Sequence, residues 1–155
     1  MKGKPEVLQA LQENLTDELG VVHGYILHAA MCENWGYKTL AATTTKRSID
    51  EMKHAEKLIT HMLFLEGAPD VQKMPKVHIG KVEEQFAKNL EDELAAIASY
   101  NQAIAICTKA GDNASGGLLR GILQDEERHA DCLETQLSLI KQLGLANYLA
   151  QNLAA

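Results

Sequence analysis

The segment that decides the fold of this chain is Asp50-Glu51-Met52-Lys53-His54-Ala55, which returns 75 residues later as Asp125-Glu126-Glu127-Arg128-His129-Ala130. The same interval separates Asp17-Glu18-Leu19 from Asp92-Glu93-Leu94. In each copy the isolated glutamate precedes the Glu-x-x-His motif by 33 residues. The repeat therefore predicts two halves of the chain with the same internal structure.

Two apolar stripes indicate that both halves are helical. Apolar residues recur alternately three and four positions apart, as on the buried face of an α-helix. Glu18 and Glu93 occupy stripe positions where this pattern calls for an apolar residue. An unpaired carboxylate in a core costs on the order of several kcal/mol, so both must be paired or neutralised. The stripes are Leu8, Leu11, Leu15, Glu18, Val22, Tyr25, Ala29 and Cys32, and Phe86, Leu90, Glu93, Ile97, Tyr100, Ile104 and Cys107.

Glycine, proline and capping residues divide the chain into four long helical segments and a short tail. We expect the segments at about residues 5–36, 39–66, 81–113 and 115–144, with Ser115 as the N-cap of the fourth and an amphipathic tail at residues 145–153. Short connections make segments one and two, and three and four, antiparallel hairpins. Residues 67–80 span up to roughly 46 Å, enough to run along a helix of about 42 Å.

These features predict one all-α domain over residues 1–155. Its architecture would be a ferritin-like up-down four-helix bundle with one long crossover between helices two and three, plus a short C-terminal fifth helix. The composition agrees, since aromatic residues make up only 5% of the chain and only three prolines occur.

The duplicated glutamates and histidines predict a site for two metal ions. Residues three apart on a helix point to the same side, so Glu51 and His54 could grip one cation, as could Glu126 and His129. Together with Glu18 and Glu93, four carboxylates would balance two divalent ions. A single Glu-x-x-His is usually a solvated helix face, and a polar interior network is the alternative here. The ligand types suit iron, manganese or zinc without choosing among them, and they match the known pattern of di-iron and di-manganese carboxylate bundles.

Several residues near the motifs have a simpler interpretation. Tyr25 lies seven residues after Glu18 and shares its face, with Tyr100 as its counterpart in the repeat. A core tyrosine with a hydrogen-bonded hydroxyl is the simple interpretation, and a hydroxyl that orders the site or donates an electron is the functional one. Met52 faces away from Glu51, and its spacing alone indicates packing. Four histidines outside the motifs are interpreted as surface or interface residues: His23, His28, His61 and His78.

Charge and cysteine content limit the partners and the compartment. A formal net charge of −6 argues against nucleic acid or an anionic membrane as a partner. No apolar stretch reaches membrane-spanning length, and residues 1–5 are not followed by the apolar run of a signal peptide. Three cysteines without C-x-x-C spacing fit a reducing cytoplasm better than a disulfide framework. We therefore expect a cytoplasmic protein.

Nearly end to end, the chain resembles the bacterioferritins. The resemblance rests on Met1-Lys2-Gly3, Asn34-Trp35-Gly36, Asp50-Glu51-Met52-Lys53-His54-Ala55, Leu63-Phe64-Leu65-Glu66-Gly67, Asp125-Glu126-Glu127-x-His129 and Gly144-Leu145-x-Asn147-Tyr148-Leu149. It implies a homo-oligomeric shell of 24 subunits, built from dimers, that stores ferric mineral. Two ferrous ions per subunit would be oxidised by dioxygen or peroxide. The resemblance matches Tyr25 to a tyrosine beside the site. It matches the six ferroxidase ligands to Glu18, Glu51, His54, Glu93, Glu126 and His129, with Glu51 and Glu126 bridging.

The resemblance also assigns a role to Met52, as the axial ligand of a haem b shared between two subunits. Such a haem would pass electrons from a small ferredoxin to stored ferric iron. One departure from the family pattern is Lys46-Arg47, where relatives often carry a histidine and an acidic residue. Two cationic side chains there repel cations, which would alter iron handling on the inner surface of the shell.

Two other functions remain open at this point. The same centre could serve a small di-metal oxidase or peroxidase, of iron or manganese, that forms no shell. Alternatively, the chain could be a haem-binding shell subunit that never turns over iron. The mass of the native particle tests the first alternative, and oxidation of added ferrous iron tests the second.

Overall fold

Five helices account for most of residues 2–153, the part of the chain that this computed structural model describes. They are α1 (Pro5–Asn34), α2 (Lys38–Phe64), α3 (Val82–Ala110), α4 (Asn113–Leu143) and α5 (Leu145–Ala150). No β-strand occurs within residues 2–153. The expected ferritin-like four-helix bundle with a short fifth helix is confirmed. Residues 1, 154 and 155 of the predicted domain lie outside the described residues.

The helices end near the residues expected from the sequence, but the expected N-cap of α4 is not the observed one. Gly111 and Gly144 have φ values of +72° and +78°, a backbone conformation that glycine adopts without strain. The prediction that Ser115 is the N-cap of the fourth helix is wrong. Asp112 is the cap, because its Oδ1 accepts the backbone N–H of Ser115 at 3.0 Å and its Oδ2 accepts the Ser115 hydroxyl at 2.7 Å. Ser115 is therefore a buried residue of the first turn of α4.

Residues 65–81 form the crossover between α2 and α3, and this segment runs along α1. The side chain of Gln12 holds the backbone of Asp70, with its Oε1 2.7 Å from the Asp70 nitrogen. Further along, Pro75 lies against Gly20, where an added Cβ would be 2.2 Å from the Pro75 Cγ. The expected single long crossover is thus present, and the absence of a side chain at Gly20 lets it approach the helix.

Two apolar layers stabilise opposite ends of the bundle. The layer at one end includes Val7, Leu11, Leu58, Leu119 and Ile122, and each of these side chains is fully buried. The layer at the other end brings α5 into the bundle, and its members are Cys32, Leu40, Ala41, Val82, Ile140 and Tyr148. Burying a leucine or isoleucine contributes about 1.5–3 kcal/mol. The burial of these apolar side chains offsets the free-energy cost of the buried polar side chains that lie between the two end layers.

We find no helix within residues 2–153 that combines the length and the apolar character needed to cross a membrane. Cys32 and Cys107 are buried, Cys132 is half-buried, and all three are free thiols.

Candidate metal centre

All six acidic and histidine residues singled out by the repeat meet in the middle of the bundle. Each of the four long helices contributes to this cluster, and each side chain is at most 6% exposed. The isolated glutamates come from α1 and α3, and the Glu-x-x-His motifs come from α2 and α4. The members of this six-residue cluster are Glu18, Glu51, His54, Glu93, Glu126 and His129.

The six side chains form two overlapping groups. In the first, the Nδ1 of His54 lies 2.9 Å from Glu51 Oε2, 2.8 Å from Glu126 Oε1 and 3.7 Å from Glu18 Oε1. The ligand atoms of this group all lie within 4.8 Å of one another, a spacing that could hold one metal ion.

The second group repeats the first around the other histidine. The Nδ1 of His129 lies 2.7 Å from Glu51 Oε1, 3.3 Å from Glu126 Oε2 and 3.8 Å from Glu93 Oε2. Glu51 and Glu126 therefore belong to both groups, and each directs one oxygen towards each histidine. This is the arrangement in which two carboxylates could bridge two cations.

Several polar atoms of the cluster lack hydrogen-bond partners among the residues that the structure describes. They are Glu51 Oε1, Glu126 Oε1 and His129 Nδ1. The short contact between His129 and Glu51 thus lacks the geometry of a hydrogen bond. Buried polar atoms without partners are costly. Cations bound between these side chains would coordinate the unpaired oxygen and nitrogen atoms and remove this cost.

A carboxylate outside the cluster orients His54. The Nε2 of His54 lies 3.0 Å from Asp125 Oδ2, which leaves Nδ1 facing the glutamates. Asp125 also pairs with Arg128. Metal-binding histidines usually donate their second N–H to such an acceptor, which fixes the tautomer and the ring orientation. Asp125 and its repeat counterpart Asp50 have equivalent positions in the sequence, so this contact was not predicted.

Each of the two tyrosines binds the isolated glutamate of the other half. The Tyr25 hydroxyl donates to Glu93 Oε1 at 2.7 Å, and the Tyr100 hydroxyl donates to Glu18 Oε1. Burial and the nearby carboxylates raise the pKa of both phenols well above its usual value, so both keep their protons. The simple interpretation, a buried tyrosine with a hydrogen-bonded hydroxyl, is confirmed for both.

Burial sets the protonation state of the glutamates when no cation is bound. It raises the pKa of Glu51 to about 8, and it raises the pKa of Glu93 to about 10 with help from the Glu51 charge. The pKa of Glu18 is raised for the same reason. Burial alone would lower the pKa of His54, but the surrounding carboxylates of Glu126, Glu18 and Glu51 raise it to about 12. In the absence of a cation, the cluster therefore holds protons that a bound cation would displace.

A solvent-facing hollow of about 410 Å³ adjoins the two histidines, and its rim is mainly basic. The adjacent cationic residues Lys46 and Arg47 both line it. The other charged side chains of the rim are Asp50, Lys53, Lys57, Asp125 and Arg128. A cation approaching from this side meets more positive than negative charge.

Met52 lies apart from the six-residue cluster. It is 44% exposed and lines an apolar hollow of about 640 Å³ between α1 and α2, together with Ile26 and Ile49. Both isoleucines are also exposed, at 55% and 43%. The sequence-based expectation that Met52 faces away from Glu51 agrees with this position.

Of the four histidines outside the motifs, His23 and His78 are exposed, as expected for surface residues. The interpretation of His28 as a surface or interface residue is wrong, since its side chain is buried within the single chain at 2% exposure. His61 is half-buried, with its Nε2 2.7 Å from the Ser115 hydroxyl. The repeat offers no signal for His28, because its counterpart is Ala103.

Comparison with known proteins identifies close sequence relatives over almost the whole chain. Residues 8–143 match the model of the ferritin-like domain family. A bacterioferritin of Mycobacterium leprae is 42% identical over 152 residues, which cover 97% of this chain and 96% of the relative. A bacterioferritin of Brucella melitensis biotype 1 is 43% identical over 155 residues, covering 99% of this chain and 96% of the relative. A third bacterioferritin, from Streptomyces coelicolor, is 42% identical over 151 residues.

Proposed function

This chain belongs to the bacterioferritin family of ferritin-like proteins, and we propose that it oxidises ferrous iron at the six-residue cluster and stores the ferric product. The observation that carries this proposal is the pair of overlapping ligand groups that share Glu51 and Glu126. Two cations held by common carboxylates lie close enough to be oxidised together. In this proposal, iron is the substrate of the cluster.

The charge of the cluster favours binding of ferrous ions and release of ferric ions. Four carboxylates with a total charge of −4 balance two ferrous ions with a total charge of +4. Oxidation raises the charge of the ions to +6 and leaves an excess of two positive charges in a buried site, where electrostatic interactions are strong. Binding of hydroxide from water, or movement of the ions out of the cluster, relieves this excess.

The reaction transfers two electrons. Each of two ferrous ions loses one electron, and one dioxygen takes up both electrons with two protons and leaves as hydrogen peroxide. If hydrogen peroxide is the oxidant, it takes up two electrons and two protons and leaves as two water molecules. The protein contributes geometry and proton handling: Glu51 and Glu93 lose their protons as the cations bind, and Asp125 keeps His54 in position.

Tyr25 has a proposed role beside the reacting ions. Its hydroxyl donates to Glu93 and so fixes the orientation of that carboxylate. The same contact would receive the phenol proton if Tyr25 gave up an electron during oxygen reduction. Tyr100 makes the equivalent contact with Glu18, which favours a shared ordering role for the two tyrosines.

The surroundings of Met52 fit a haem b bound between two subunits. The thioether is a soft iron ligand, and the exposed Ile26 and Ile49 provide an apolar surface beside it. A second copy of this face would supply the second methionine and cover the ring. When bound, the haem would carry single electrons between an external donor and stored ferric iron, which assists iron release.

We further propose that the chain is a single ferritin-like domain over residues 1–155 and that 24 copies form a cytoplasmic shell built from dimers. The match covers 97% of this chain and 96% of the Mycobacterium leprae bacterioferritin, which supports a single domain of that family. A small ferredoxin is the proposed reductant. The particle mass in solution tests this assembly, and a monomer or dimer with full oxidase activity would favour the shell-free oxidase.

Oxidation kinetics test the proposed centre. Metal-free protein is mixed anaerobically with about two ferrous ions per chain and then with air, and ferric absorbance is recorded. We expect Glu126→Ala to abolish the rapid phase, because both ions lose a shared ligand. The neighbouring Glu127→Ala, an exposed position on the same helix, is the matched control and should retain wild-type kinetics. Rapid oxidation in Glu126→Ala would refute the ligand assignment.

A further inference from the structure

A second group of possible ligand atoms lies in a cavity between α1, α3 and the crossover. This crossover cavity has a volume of about 210 Å³, and Pro75 and His78 contribute to its lining from the crossover. Glu18 and Glu93 of the six-residue cluster line it as well. The cavity therefore reaches the proposed centre from the side opposite the hollow that Lys46 and Arg47 line.

His28 lines this cavity and has a buried nitrogen that lacks a hydrogen-bond partner among the described residues. Its other nitrogen, Nε2, lies 2.9 Å from the backbone oxygen of His78. A carbonyl oxygen only accepts hydrogen bonds, so Nε2 carries a proton and Nδ1 is the free nitrogen of the ring. Burial lowers the pKa of His28, which keeps the ring neutral and leaves a lone pair on Nδ1.

This arrangement is the one that histidine adopts as a metal ligand. Such histidines usually donate one N–H to a backbone carbonyl or carboxylate and coordinate through the other nitrogen. The ring of His28 is 2% exposed and is held at Nε2 by the crossover, so Nδ1 has a fixed direction. A buried nitrogen lone pair of this kind is costly unless something binds it.

Two oxygen-bearing side chains of α3 line the cavity together with this imidazole. Asn89 is 8% exposed and lies next to the ring, without making a hydrogen bond of normal geometry to Nδ1. Asp92 follows one turn later and acts on the ring through its charge. The Asp92 carboxylate is partly exposed, and its Oδ1 lies 2.9 Å from Lys88 Nζ. A cation that binds Asp92 would compete with this lysine.

We propose that the crossover cavity contains a further divalent cation site, formed by His28 Nδ1, the side-chain oxygen of Asn89 and the carboxylate of Asp92. One nitrogen and two oxygen donors suit ferrous iron or zinc, with water completing the coordination. The exposed Asp17 also lines the cavity and adds negative charge to it. Ferrous ions bound here would lie next to Glu18 and Glu93 before they move into the six-residue cluster. This role as an intermediate binding site rests on the proposed oxidation, whereas the cation site itself does not.

Zinc is a suitable probe, because it binds the same donors and is not oxidised. Crystals of the full-length metal-free protein would be soaked in a zinc salt, and anomalous difference maps recorded at the zinc edge. We expect peaks in the six-residue cluster and a separate peak about 2.0–2.1 Å from His28 Nδ1. If His28 Nδ1 contacts only water or Asn89 at a zinc concentration that fills the six-residue cluster, the inference is wrong.

Variants extend the test to solution. In a zinc titration of metal-free protein, His28→Gln should bind one zinc ion fewer per chain than wild type, and His23→Gln should bind the same number. His23 is an exposed histidine on the same helix and therefore a matched control. If His28→Gln fails to fold, Asp92→Asn tests the same site from its exposed side and should weaken the additional zinc by about tenfold or more. Wild-type binding in Asp92→Asn would also overturn the inference.

The same crystals separate this inference from the proposed function. Zinc in the six-residue cluster but not at His28 would refute the further site and leave the proposed centre intact. Zinc at His28 but not in the cluster would support the further site and refute the proposed centre. Zinc at neither position would refute both.

Discussion

Raising the pH of the metal-free protein from about 5 to about 8 is expected to destabilise it. Glu51 has an ordinary pKa of 4.5, and burial raises it to about 8 in the folded chain. Between these two values the folded chain keeps the proton of Glu51 while the unfolded chain loses it. The folded state then binds more protons than the unfolded state, so the free energy of unfolding falls as pH rises.

Two other members of the six-residue cluster act in the same direction, whereas the lowered pKa of His28 acts in the opposite direction below its ordinary value of 6.5. Glu93 has its pKa raised to about 10, and the surrounding carboxylates raise the pKa of the His54 imidazole from 6.5 to about 12. For each group with a raised pKa, the stabilisation is fully present below the ordinary pKa and is lost as pH rises through the folded value. For Glu51 alone, the interval from 4.5 to about 8 corresponds to at most about 5 kcal/mol, at about 1.4 kcal/mol per pH unit.

Scanning calorimetry would measure this effect as a change in Tm. Over the three pH units from 5 to 8 the Glu51 contribution is at most about 4 kcal/mol, which corresponds to a fall in Tm of up to about 8–16 °C at about 2–4 °C per kcal/mol for a chain of this size. With zinc bound, the cations have already displaced the protons, so the fall should be much smaller. A metal-free Tm that stays constant or rises over this interval would refute the reasoning.

A pair of variants on α2 identifies the source of the pH dependence. Glu51→Gln replaces the titrating group with a neutral one of the same shape, so we expect a smaller fall in Tm with pH in the metal-free protein. Glu56→Gln changes an exposed glutamate on the same helix and should leave the wild-type slope. Equal slopes in the two variants would show that Glu51 does not contribute.

Four further variants test other parts of the structure. Met52→Leu should remove the visible spectrum of bound haem while ferrous oxidation continues at the wild-type rate, and loss of oxidation would contradict this separation. Tyr25→Phe and Tyr100→Phe should each lower the free energy of unfolding by about 1–3 kcal/mol in a denaturant titration, because a buried oxygen of Glu93 or Glu18 loses its hydrogen-bond donor; unchanged stability would contradict the contacts. Gly20→Ala should displace Pro75, whose Cγ would lie 2.2 Å from the new Cβ, and speed hydrogen exchange in the crossover; unchanged exchange would contradict this packing.

The fold was predictable because the sequence carries the same information twice. Glu18 and Glu93 stand on apolar stripes at the same distance from the two Glu-x-x-His motifs, so helix faces, pairing and cluster follow from spacing alone. The N-cap of α4 was less predictable, because Asp112 and Ser115 are both favourable capping residues. Only their mutual hydrogen bonds decide between them.

Contacts that break the repeat were beyond sequence-based prediction. Asp50 and Asp125 occupy equivalent positions, and the long-range contact of Asp125 with His54 depends on how α2 and α4 are placed. His28 has no counterpart that could have drawn attention to it, and its burial results from the crossover lying over α1. Both residues owe their surroundings to segments distant in sequence, which local periodicity does not describe.

The separation of the polar middle layer from the two apolar end layers has a consequence for how the chain could change during evolution. Val7, Leu58 and Ile122 fix helix spacing at one end, and Leu40 and Ile140 do so at the other. Substitutions in the middle layer can therefore alter metal preference or abolish turnover while the helices keep their positions. Descendants of this protein could keep the fold while their metal chemistry changes, because the residues that determine the fold and those that determine the reactivity are different residues.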